Sequence, residues 1–80
     1  MKSLRTPSHV QLIELLVAAR EKAQLTQQQL ADKLGKPQSF IAKYEGGERR
    51  IDVIEFLAIA RALDADPARI IRELASRQRH

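Results

Sequence analysis

Apolar positions recur along this chain at the three-and-four spacing of helices, and no run alternates as a strand would. Over residues 9–23 two neighbouring stripes run side by side. Leu12, Leu16, Ala19 and Ala23 form the stripe expected to face the core, whereas Val10, Ile13 and Val17 are expected to pack on the last helix or to meet a second subunit. Ser8 with Gln11 three residues on has the pattern of a capping box and predicts the first helix over residues 9–23. Thr26 with Gln29 repeats the pattern and predicts a second helix from Gln27 to Leu34. Past Gly35 the apolar stripe resumes with Ile41 and Tyr44, in a third helix that ends near Glu45, before Gly46 and Gly47. Asp52 with Glu55 opens a fourth helix, where Ile54, Leu57, Ala58 and Leu63 describe the inward stripe to about residue 63. Asp66-Pro67, an acidic cap followed by proline at the first helical position, starts a fifth. The fold class read from this pattern is all-α, a bundle of five short helices.

The turn between the second and third helices carries the most information. Gly35 can take a left-handed conformation without steric cost, and Pro37 prevents the second helix from continuing. Ala31, four residues before the glycine, is small enough to let the third helix cross closely. Two short helices at a steep angle around a glycine turn are a helix-turn-helix, whose second member lies in the DNA major groove.

Composition narrows the function classes. Eighty residues make one domain, residues 1–80, with a helix-turn-helix core over 12–66, an N-terminal arm over 1–7 and a C-terminal helix with a basic tail over 67–80. The arm holds Lys2, Arg5 and Pro7, and is either a mobile terminus or an extension that reaches DNA. With no cysteine, and with His9 and His80 at opposite ends, no metal site is expected. No cofactor is expected either, and the chain lacks a phosphate-binding glycine loop or a histidine close to paired carboxylates, which argues against an enzyme. The apolar run from Leu12 to Ala19 is interrupted by Glu14 and falls far short of the roughly 20 residues a membrane span needs. With no recognisable secretory leader, a cytoplasmic location is expected. Lys plus Arg number 14 against 10 Asp plus Glu, a net charge of +4 that suits a polyanion without identifying one. The distribution adds more, because the segment from Lys36 to Arg50 holds Lys36, Lys43, Arg49 and Arg50 against Glu45 and Glu48.

Residues 12–66 resemble the helix-turn-helix domain of the Cro and phage-repressor family, also called the xenobiotic-response-element type. The resemblance rests on Arg20, Leu25-Thr26-Gln27, Leu30-Ala31, Leu34-Gly35, Ile41, Glu45 and Gly47, with Leu57, Ala60 and Leu63 of the fourth helix, in order and without a gap. It implies a lambda-repressor-like, DNA-binding regulator from a bacterium or phage, commonly a homodimer on a palindromic operator. It also implies that Arg20 and Glu45 form an ion pair inside the fold. Two positions depart from the family: Pro37 stands where a serine or threonine cap is common, and Phe40 replaces a small polar residue.

Helical geometry gives the site. With Ile41 and Tyr44 facing inward, Ser39 and Lys43 turn outward and Gln38 lies at the entering end, positions that also match those that read bases in the family. Glutamine pairs with adenine, lysine with guanine acceptors, and serine with either kind of edge. Gln27, at the start of the second helix, together with Lys36, Arg49 and Arg50, is expected to meet phosphates. Phe40 is expected either to touch a thymine methyl or sugar, or to pack on its own domain. Ile51, Val53, Ile70, Ile71 and Leu74 are expected either to form a dimer contact or to close the core. The expected partner is double-stranded DNA, bound by a repressor without an effector domain. The alternatives are an antitoxin that binds a toxin protein and regulates its own operon, and the controller of a restriction-modification system.

Overall fold

The computed structural model describes residues 6–77. Five helices follow in order: α1 (Pro7–Lys22), α2 (Gln27–Leu34), α3 (Gln38–Glu45), α4 (Val53–Ala62) and α5 (Pro67–Arg77). No strand occurs among the described residues.

Local chemistry explains most of the boundaries. In α2 the Thr26 hydroxyl accepts from the Gln29 backbone N–H at 3.0 Å, and the Gln29 side chain accepts from the Thr26 N–H at 2.8 Å, a complete capping box. Asp52 and Glu55 make the same reciprocal pair at the start of α4. Asp66 Oδ1 accepts from Ala68 N at the start of α5. Gly35 has φ +65°, and the next residue, Lys36, donates its N–H to Ala31 O at 3.0 Å, which closes the end of α2 as a left-handed cap does. The start of α1 corrects the sequence reading. Thr6, not Ser8, is the cap, accepting from His9 N at 3.2 Å, and Pro7 takes the first helical position, where its missing N–H and preset φ cost nothing. Ser8 lies inside the helix. The predicted arm therefore gives up residues 6 and 7 to α1 and its cap. Lys2 and Arg5, like Arg79 and His80 at the other end, lie outside the described residues.

The core is built on Leu16, Leu30, Ala31, Ile41, Tyr44 and Ile59, all fully buried, joined by Ile13, Phe56, Leu63 and Ile70. α2 packs on α3, α1 lies against α3 and α5, and α4 closes on α2 and α5. Three expectations about inward faces need correction. On α1 it is His9, Ile13 and Leu16 that are buried, while Leu12, Ala19 and Ala23 sit half-buried at the rim. On α4 the buried set is Phe56, Ile59 and Ala60, continued by Leu63, and Ile54 and Ala58 face outward. The sequence of α4 is apolar on nearly every side, so its stripe is set by what α2 and α5 offer rather than by periodicity. Ile70 belongs to the core and is withdrawn from the candidate dimer contacts, whereas Ile71 is exposed. Among the described residues, no helix is long and apolar enough to cross a membrane.

Candidate nucleic-acid interface

α3 presents two sides of different chemistry. Ile41 and Tyr44 anchor it in the core, and Gln38, Ser39 and Lys43 are exposed on the other side. Its start carries Pro37, whose side chain makes no capping hydrogen bond. The helix is held in place by its other end and by its flanks.

The anchor at the C-terminal end of α3 is the Arg20–Glu45 pair. Arg20 Nε donates to Glu45 Oε2 at 2.8 Å and a terminal nitrogen donates to Oε1 at 3.1 Å, a bidentate fork with side chains only 14% and 7% exposed. The same guanidinium donates to Leu25 O at 2.8 Å, so one side chain ties α1, the α1–α2 loop and α3 together. From Glu45 the network runs outward. Gln27 Nε2 donates to Glu45 Oε1 at 2.9 Å, and Gln38 Nε2 donates to Gln27 Oε1 at 2.6 Å. The orientation of both amides follows from chemistry, because a carboxylate only accepts. Gln27 must turn its NH₂ toward Glu45, its oxygen then faces Gln38, and Gln38 must answer with its own NH₂. One N–H and the carbonyl oxygen of Gln38 remain to face outward. Gln27, expected at a phosphate, thus has its side chain engaged as an internal bridge.

The flank after α3 holds a second cluster. Phe40 is half-buried, edge-on to Tyr44 at 5.7 Å between ring centres with 70° between planes. Two cations lie over its ring, Arg49 with its guanidinium carbon 4.8 Å from the centre and Lys36 with Nζ at 5.4 Å. Arg49 also donates from both terminal nitrogens to Glu55, each at 3.1 Å. The Arg49 hydrogen bonds, helped by the Asp52 N–H, hold the Glu55 carboxyl below the usual carboxylate range. Arg49 is therefore not the free surface cation its sequence position suggested, while Arg50 is exposed. The sequence reading assigned Glu55 only to the α4 cap and overlooked its second task. The available signal was the pairing of an acidic N3 residue with an arginine three positions upstream of the cap.

His9 was also underestimated. It is buried, its Nε2 has no hydrogen-bond partner, and burial followed by the nearby charge of Arg50 lowers its pKa from the ordinary value. No group of histidine, cysteine or acidic residues able to hold a metal occurs among the described residues.

Comparison with known proteins fits this geometry. A helix-turn-helix family model matches residues 16–70. An XRE-family like protein from Pseudomonas syringae pv. tomato is 41% identical, with 91% of this chain and 89% of that one covered and a TM-score of 0.87. The restriction-modification controller protein C.AhdI from Aeromonas hydrophila is 28% identical over 81% of this chain and 98% of its own, at a TM-score of 0.74. The clp gene regulator ClgR from C. glutamicum, 19% identical over 94% of this chain and 97% of its own, shares the fold at a TM-score of 0.79. No curated protein gives a significant sequence match. The matched region spans the packed α2–α3 pair and most of the core that supports it, and the chain belongs to the XRE-type helix-turn-helix family of DNA-binding transcriptional regulators.

Proposed function

We propose that the protein represses transcription as a homodimer on a palindromic operator, reading bases with Gln38, Ser39 and Lys43. The observation that carries this reading is the exposed side of α3, where Gln38 is held by Gln27 with one N–H and its oxygen left outward. That pair of atoms matches the N7 acceptor and N6 donor of adenine, and Lys43 suits the acceptors of guanine. Lys36 and Arg50, with the N-terminus of α2 at Gln27, supply phosphate contacts, and Arg49 joins them while paired to Glu55. One eight-residue recognition helix reads few base pairs, so useful affinity calls for a second copy about 34 Å away on the same DNA face. Val53 and Ile54, 70% and 74% exposed, are side by side at the start of α4 next to half-buried Ile51, and Ile71 with Leu74 offers a second apolar strip.

Selection of bound sequences from a random duplex pool tests the reading, followed by titrations at several salt concentrations. Gln38→Ala and Lys43→Ala should each flatten preference at particular base pairs by about 1–3 kcal/mol, and Arg50→Gln should weaken all sequences alike. Full preference retained by both alanine variants would refute the site. Sedimentation should show two copies on the operator, lost in Val53→Asp. A monomer on DNA would remove the dimer. The similarity to C.AhdI favours a second reading, the controller of a restriction-modification system. Restriction and methylation genes beside this one would establish it.

A further inference from the structure

Phe40 sits next to the exposed residues of α3 and gathers charge from both sides of the helix. Lys36 comes from the turn before α3 and Arg49 from the loop after it, yet both lie within 5.4 Å of the same ring centre. Neither cation is placed by its own backbone alone. The ring face attracts them both, and its edge contact with buried Tyr44 fixes the ring. Arg49 is further oriented by Glu55, whose Oε1 also accepts the Asp52 N–H at 2.9 Å and is therefore fixed in its turn. A guanidinium carries five N–H groups, and Glu55 takes one from each terminal nitrogen, leaving three for another acceptor. Two ordered cations and one carboxylate leave one net positive charge on the flank of the recognition helix.

We propose that Phe40 is a positioning residue for the DNA backbone: its ring holds Lys36 and Arg49 together as one phosphate site, while Glu55 orients Arg49 and mutes its charge. This rests on the DNA-binding reading above and adds a division of labour to it. Phe40 acts on phosphate through two cations and reads no base. Glu55 trades affinity for fixed geometry, which tempers binding to DNA of any sequence.

The experiment measures Kd against salt for two probes, the preferred duplex from the random pool and a duplex of scrambled sequence. Phe40→Leu keeps an apolar side chain against Tyr44 but removes the ring. It should weaken both probes by the same factor, about two- to tenfold for each long side chain that must then be ordered on binding. Phe40→Tyr should restore wild-type affinity. Glu55→Gln preserves the α4 cap, since Gln29 already serves that role in α2, and releases Arg49. It should tighten both probes and steepen the log Kd against log salt line by about 1. In an Arg49→Gln background the same Glu55 change removes a carboxylate but frees no cation, so its effect on the slope should be clearly smaller. Loss confined to the preferred duplex in Phe40→Leu would mean a base contact and overturn the proposal. So would a Glu55→Gln protein of wild-type melting temperature with an unchanged slope, or a Glu55 effect on the slope that is undiminished in Arg49→Gln. A wild-type protein that ignores both duplexes would overturn the DNA-binding reading as well, whereas failure of the variants alone leaves that reading standing.

Discussion

Removing Arg20 is the sharpest test of how α3 is held. Arg20→Met keeps most of the aliphatic stem and deletes the guanidinium. Glu45 would then lose both hydrogen bonds of the fork and keep only the one from Gln27, and Leu25 O would lose its side-chain donor. Because the two side chains are 14% and 7% exposed, water reaches the abandoned carboxylate poorly. Breaking a pair so buried costs about 3–5 kcal/mol, and the residual exposure favours the lower end, about 3 kcal/mol. A chain of 80 residues has a total stability of about 4–12 kcal/mol, so this is a large share. The expected fall in melting temperature is about 12–24 °C, from about 4–8 °C per kcal/mol for domains of this size. Urea titration followed by circular dichroism at 222 nm measures it, with an unchanged slope showing that the same surface unfolds. The double variant Arg20→Met/Glu45→Leu removes both charges and should cost clearly less than the sum of the single variants, with a coupling above about 1 kcal/mol. An Arg20→Met protein within about 1 kcal/mol of wild type would refute the reasoning, since it would show that the carboxylate finds water or another donor at no cost.

Three further outcomes follow from polar and backbone details. The Tyr44 hydroxyl is buried without a hydrogen-bond partner, so Tyr44→Phe should leave the urea midpoint unchanged or raise stability by about 1 kcal/mol; a loss of that size would contradict the burial argument. Gln24 and Asp64 both have left-handed φ, 61° and 56°, just past the ends of α1 and α4. Glycine at either position should raise the melting temperature by a net gain of up to about 1 kcal/mol, less at 64 because aspartate tolerates that conformation better. Burial and Arg50 hold the folded-state pKa of His9 below its ordinary 6.5, so the unfolded chain takes up the proton more readily. This contribution to stability is complete above pH 6.5 and is lost as the pH falls below it. The urea midpoint should fall between pH 8 and pH 5.5 in the wild type and change less in His9→Leu; equal changes would exclude His9 as the cause.

What could be seen in the sequence divides along physical lines. The caps of α2, α4 and α5 and the corner at Gly35 were legible because short-range hydrogen bonding and φ preference settle them within a few residues. So was the inward pairing of Ile41 and Tyr44, because α3 has polar residues between its apolar ones. The start of α1 is ambiguous in sequence because Thr6 and Ser8 are both good caps, and proline directly after threonine decides for Thr6. The face of α4 was misassigned because a helix reading Val-Ile-Glu-Phe-Leu-Ala-Ile-Ala offers several apolar stripes. The buried pattern Phe56, Ile59, Ala60, Leu63 satisfies helical spacing better than Ile54, Leu57, Ala58, Leu63. The site followed the same rule. Which residues of α3 point outward came from spacing, whereas the link from Gln38 through Gln27 to Glu45 and the gathering of Arg49 onto Phe40 join residues from different elements and needed the fold.

On the proposal that Gln38 reads a base, the amide link between positions 27 and 38 also bears on how operator preference can change over evolutionary time. A new side chain at 38 inherits a neighbour whose oxygen is already committed to receiving an N–H, so residues without one leave that lone pair unanswered at the start of α3. Retargeting this regulator therefore favours paired exchanges at 27 and 38 over single ones. A library randomised at 38 alone would sample mainly the donors that glutamine already represents.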